Sequence, residues 1–242
     1  MSRFKAFLQK RKYEVLLVAL ILHLFIGAVL HDLGSYTHII WPINMLILGI
    51  ASIGVFSRQQ KWKRGLRNIL FALVFAFPLS IPFLNHLPMF MSLLSAAYVI
   101  FFAFIFYEII RFLVKPGYIN ADIISASACG YFLLLEISTF LMQMIFYSNR
   151  HSFHGINTSS TATIFIDFVY FCSVTISSIG FGDIFPTSHS TKLITSLFGI
   201  AGQLYSVVLV GMIISKFTSK QDREEQQETE PGNNEKAKDQ RP

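Results

Sequence analysis

The 242-residue chain reads as an all-α protein built into a membrane. Three observations carry that reading. Hydrophobic residues make up 53% of the chain and charged residues only 14%, outside the usual range of soluble domains. Six apolar runs, the shortest 17 residues, approach or exceed the length a helix needs to cross a hydrocarbon core of about 30 Å. The basic residues gather in alternate loops between those runs. The net charge of +6 is no nucleic-acid signal, because it sits in short loops and tails, and no nucleic-acid partner is expected. The partners implied are membrane lipids.

The first span is expected over residues 13–30, behind Lys10, Arg11 and Lys12. No small-residue cleavage site closes it and more spans follow, so it reads as an uncleaved signal anchor. The second covers about 37–56, followed by a basic loop of Arg58, Lys61, Lys63, Arg64 and Arg67. The third, about 68–84, carries Pro78 and Pro82, each of which removes a backbone donor and predicts a kink. The fourth covers about 89–114 and stops at Lys115-Pro116-Gly117. The fifth covers about 121–147, a polar, flexible loop about 148–162, and the last span about 191–217.

With the N-terminus inside, the inner segments hold eighteen Lys and Arg and the outer ones only Arg150 and Lys192. That asymmetry predicts cytoplasmic N- and C-termini. Tyr13 then marks the inner interface, and Trp41 and Tyr147 the outer one. Cys129 and Cys172 lie inside apolar runs and read as packing residues, without a disulfide. Residues 218–242 are polar; 220–230 are expected to extend the last helix by a turn or two, and the rest to be disordered. A tail of that length is expected to hold no regulatory domain.

Between the fifth and last spans stands Ser178-Ile179-Gly180-Phe181-Gly182-Asp183. It resembles the selectivity filter of potassium channels, usually Thr-Val-Gly-Tyr-Gly-Asp. The apolar run 165–177, with Tyr170-Phe171, is similar to the family's pore helix, and Phe185-Pro186 to the residues that follow the filter. Gly199, Gly202 and Gln203-Leu204-Tyr205 resemble its inner helix. Serine stands for the usual threonine and phenylalanine for the usual tyrosine. The similarity covers about 119–217.

The resemblance implies six transmembrane helices with a re-entrant pore helix and filter, assembled as a homotetramer. Backbone carbonyls of Ser178, Ile179, Gly180 and Phe181 would bind potassium ions in place of water, Gly180 and Gly182 supplying backbone freedom. Asp183 would sit at the outer mouth. Gly199 and Gly202 read equally as a gating hinge or as sites of close helix packing. The divisions implied are a cytoplasmic N-terminus (1–12), a four-helix domain (13–114), a pore domain (118–217) and a cytoplasmic tail (218–242). A bacterial inner membrane is implied on resemblance alone.

In voltage-gated relatives the fourth span carries an arginine at every third position. Here that span holds only Glu108 and Arg111, both near its inner end, so steep voltage dependence is not expected. Potassium-selective conduction is the reading preferred, with a weakly selective cation channel, a transporter subunit and a silent channel subunit as alternatives. No catalytic pair or metal-ligand cluster suggests an enzyme, and no cofactor beyond the permeant ion is expected. Glu136, mid-span, reads either as functional or as a protonated group bonded to a nearby hydroxyl. His23 reads as a packing residue. His151, His154 and His189 flank the outer mouth, where acid could add positive charge.

Overall fold

The computed structural model describes residues 11–29, 39–53, 88–114 and 121–229, with positions 55, 65 and 72. The expected third span, its prolines, the basic loop before it and the Lys115-Pro116-Gly117 break lie outside the described residues. The described elements run α1 (Lys12–Phe25), a short 3-10 turn (Ile26–Ala28), α2 (Trp41–Ile53), α3 (Pro88–Leu113), α4 (Ala121–Ser148), β1 (Phe153–His154), α5 (Thr161–Ile176), β2 (Phe185–Pro186) and α6 (His189–Thr229).

Among the described residues three helical segments are long and apolar enough to cross a membrane: Met89–Leu113, Asp122–Ser148 and His189–Gly211. Pro88 opens α3, where its missing N–H is no loss. Asp122 in the first turn of α4 complements the positive helix end. Of the first two expected spans, residues 12–28 and 39–53 are helical, and their remaining ends fall outside the described residues or next to them. α1 stops after 14 residues and tightens into the 3-10 turn at Ile26-Gly27-Ala28; α2 has 13 residues. At about 1.5 Å per residue each is near 20 Å long.

α3 packs along α4, α1 lies against α2 and α4, and α5 is held between α4 and α6. An aromatic cluster joins these layers. Phe140 of α4 lies 4.7 Å from Tyr98, 5.6 Å from Phe102 and 5.6 Å from Phe165, between ring centroids. Trp41 lies tilted against Phe165 at 4.9 Å and is 1% exposed. Trp41, Tyr13 and Tyr147, read from sequence as interface residues, are all buried in this core. Their large rings are worth more packed against other rings than half-wetted at a headgroup.

Glu136 and His23 meet inside the same core. His23 Nδ1 and Glu136 Oε1 are 2.7 Å apart, and the two side chains are 1% and 0% exposed. The His23 ring also rests 5.4 Å from Phe165. The partner of Glu136 is thus a histidine from α1, and not the serine or threonine expected from sequence. The histidine could not be foreseen because it lies 113 residues away.

α6 runs unbroken for 41 residues, about 60 Å at helical rise. It continues through 218–229, about three turns, where the sequence reading expected an extension of a turn or two over 220–230. That stretch is rich in Gln, Glu, Lys and Arg, good helix formers, with no proline or glycine before Pro231-Gly232. Replacing Glu136 with leucine strands a buried histidine. Glu136→Leu is predicted to lower stability by about 3–5 kcal/mol and Glu136→Gln far less, both read from melting temperature in detergent.

Candidate functional site

α5 begins at a reciprocal cap. Ser160 Oγ accepts from Thr163 N–H at 3.1 Å, and Thr163 Oγ1 accepts from Ser160 N–H at 3.0 Å. This satisfies two helix-end donors and starts the helix four residues before the apolar run noted from sequence. Its far end is finished by the following strand. Ser177 N–H donates to Ser173 O, Ser178 N–H to Thr175 O at 3.0 Å, and Ile179 and Gly180 N–H both to Val174 O at 2.8 and 3.1 Å. The last helix carbonyls and the first strand donors therefore satisfy one another.

Backbone sign alternates along the strand. Ser178, Gly180 and Gly182 have φ of +61°, +58° and +81°, while Ile179 and Phe181 between them do not enter the positive region. Such alternation departs from an ordinary strand, whose residues all keep negative φ. Ser178 is the only non-glycine residue in that region among the described residues. With the donors tied back, the carbonyls of Ser178, Ile179, Gly180 and Phe181 accept no hydrogen bond among the described residues. Phe181 turns its ring parallel to Tyr170, 6.3 Å between centroids at 4°.

Asp183 follows at the outer end. Tyr170 Oη donates to Asp183 Oδ2 at 2.8 Å, which holds the Asp183 carboxyl below the usual carboxylate range. β1 and β2 pair antiparallel, Phe153 with Pro186 and His154 with Phe185, so the loop expected to be flexible is fastened to the segment after Asp183. Thr187 N–H donates to Ser152 O at 3.0 Å, and Thr191 Oγ1 to the same carbonyl at 3.1 Å. Gly155, at φ +85°, leaves room for the Asp183 carbonyl; any side chain there would strike it. His154 stacks on Phe185 at 4.8 Å, while His151 and His189 are exposed.

α6 closes the inner side. A β-carbon on Gly202 would come within 2.6 Å of Ile176 Cγ2, so the glycine permits close approach to the end of α5. Gly199 meets only Thr175, at an ordinary 3.8 Å. One turn on, Gln203 Nε2 donates to Ser178 Oγ at 2.8 Å and lies 3.4 Å from Ile176 O. Tyr205 fits over Gly130 of α4 and donates to Ser127 O at 2.7 Å.

Comparison with known proteins addresses this same segment. Residues 130–219 match the family model described as an ion channel. Two-pore potassium channel 4 of Arabidopsis thaliana is 32% identical over 91 residues, 37% of this chain and 32% of that protein. Two pore potassium channel b of Oryza sativa subsp. japonica is 34% identical over 84 residues, 35% of this chain and 22% of that protein. Residues 130–219 are thus similar to an ion-channel family and to plant potassium channels over about a third of this chain.

That family is not enzymatic. The chain spans a third or less of the length of the curated relatives it matches. No solved structure matches significantly. These relatives are plant channels and lend no support to the bacterial membrane expected from resemblance.

The structure brings Ser178 to Asp183 together with Tyr170 and Gln203, and keeps Glu136 apart with His23. Gln203 and Tyr205 received no individual role from sequence. The available signal was polarity: both break the apolar run of α6 just after Gly202. Because Asp183 has a depressed pKa, its bond to Tyr170 stabilises the mouth above the ordinary carboxylate range and is lost as pH falls through the lowered value. Tyr170→Phe removes the donor, and Asp183 is then predicted to titrate at higher pH, read by carboxyl-carbon NMR of labelled aspartate.

Proposed function

We propose that four copies of this chain form a potassium-selective channel that conducts passively along the electrochemical gradient. The observation that carries this reading is the row of four carbonyls, Ser178 to Phe181, on a strand with alternating φ and its first donors tied to α5. Carbonyls so held replace the hydration shell of a potassium ion. One strand cannot surround an ion, so four-fold cyclic assembly follows from the task. The uncovered inner helix supports it. Only 6% of the most apolar stretch of α6 is buried within one chain, against 67% for α4. Leu193, Leu197, Leu204 and Val207 present an apolar face that neighbouring copies would cover.

Six spans, with cytoplasmic termini, remain the plan that best fits the apolar runs and the eighteen-to-two distribution of basic residues. The ends of α5 point the same way: its negative C-terminal end would face the cavity below the filter and favour a cation there. Asp183 would form an outer ring of carboxylates. Gly202 serves close packing, so bending of the inner helix is assigned to Gly199, where the neighbour is more distant. Glu136 serves to fasten α1 to the outer helix. No cofactor is required.

A second reading, weakly selective cation conduction, is favoured by one observation. Residue 178 is a serine, where the filter it resembles usually carries threonine. Liposome flux separates the two. Potassium-driven uptake without sodium-driven uptake is the expected result; equal flux of both ions supports the second reading. Gly180→Ala tests the filter itself. A β-carbon there meets nothing within 4 Å, but alanine at φ +58° costs about 1–2 kcal/mol per chain. Flux is predicted to fall sharply while each chain still folds, checked by helicity and detergent solubility.

A further inference from the structure

The inference concerns Gln203 and rests on the filter reading above. Serine at 178 differs from the family's usual threonine in one physical respect that matters here. Threonine is β-branched, and its two substituents on Cβ leave few side-chain rotamers. Serine has no such restriction, so its hydroxyl can swing among three staggered positions. An ion site built from a hydroxyl needs that oxygen in one place.

Gln203 supplies the missing restriction. Its Nε2 donates to Ser178 Oγ at 2.8 Å, and the same nitrogen lies 3.4 Å from the Ile176 carbonyl, the last residue of α5. The carboxamide thus spans the end of the pore helix and the first filter residue. It is carried there by Gly202, the preceding residue, whose lack of a side chain lets the inner helix approach Ile176. Tyr205, two residues on, anchors the same turn of α6 to the outer helix through Ser127 O at 2.7 Å. The position of Gln203 is therefore set by packing on both sides.

We propose that Gln203 is a positioning residue for the innermost potassium site. It fixes the Ser178 hydroxyl in the orientation that β-branching would otherwise impose. It would not itself need to touch the ion in the filter. The consequence is specific: Gln203 matters because residue 178 is serine, and ceases to matter when residue 178 is threonine.

The test uses the full chain with Gln203→Met, which keeps length and approximate volume but removes the donor. Two readouts are taken: the potassium-to-sodium flux ratio in liposomes, and the half-saturation constant for potassium fitted from the logarithmic rise in melting temperature with its concentration in detergent, which reports ion binding without conduction. Gln203→Met is expected to lower the flux ratio and weaken apparent potassium affinity by about 2- to 10-fold, the range of one hydrogen bond. Adding Ser178→Thr is expected to restore both. A purely structural role for Gln203 would lower the melting temperature at every ion concentration without moving the half-saturation point, and threonine would not rescue it.

Should Gln203→Met fail to assemble, Ser178→Thr is compared with Ser178→Thr/Gln203→Met. Equal affinities in that pair support the proposal, and a loss in the second, or failure of the second to assemble, overturns it. Unchanged values in Gln203→Met, or a deficit that Ser178→Thr leaves in place, also overturn it. A parent protein that shows neither selective flux nor potassium-dependent melting overturns the channel reading and this inference with it; a parent that shows both, alongside a silent Gln203→Met, overturns the inference alone.

Discussion

Irregular backbone at membrane depth is tolerable only if its polar groups are satisfied or face water. The strand Ser178 to Gly182 meets that constraint by dividing its two kinds of group. The N–H groups of Ser178, Ile179 and Gly180 return to the carbonyls of Thr175 and Val174, which would otherwise be the unsatisfied end of a helix. The strand carbonyls are left over, all available to a ligand. One local arrangement thus solves two deficits at once and creates a row of acceptors as the remainder. Everything else holds α5 so that its last turn ends where the strand needs it.

The holding is done from several directions. At the start of α5 the Ser160–Thr163 cap fixes the first turn. Phe168 and Phe171 pack edge-on against Phe153 of β1, at 5.1 and 5.5 Å. Behind it, Phe165 meets Trp41, Phe140 and His23, so α1, α2 and α4 all reach the pore helix through one cluster of rings. From below, Gly202 lets α6 close on Ile176. The helices before the pore segment are then more than a lipid-facing jacket. They carry a buried His23–Glu136 bond and an aromatic core.

Much of this was legible in the sequence, and the reasons for the remainder are physical. The filter motif was visible because its two glycines mark positive φ directly. Ser178 was not, since serine seldom adopts that region and gives no sign of it in composition. The apolar runs located α3, α4 and α6 closely. The first expected span covers α1 and its 3-10 turn, and α2 lies inside the second. The start of α5 was missed because the cap uses threonine, where the more familiar signal has a glutamate. Trp41 looked like an interface residue because amphipathic aromatics favour headgroups, yet nothing in one sequence reveals a ring waiting at Phe165, 124 positions on. Gln203 and Tyr205 stood out only as polar residues in an apolar helix; their partners needed three dimensions.

The most direct measurement is the carbonyl-carbon chemical shift of labelled Ile179 and Gly180 in the protein reconstituted in lipid, compared between potassium and sodium at equal ionic strength. Carbonyls that replace the hydration of potassium should shift on adding that ion and respond weakly or differently to sodium. Identical spectra in the two salts would contradict the assignment of this strand as a potassium filter.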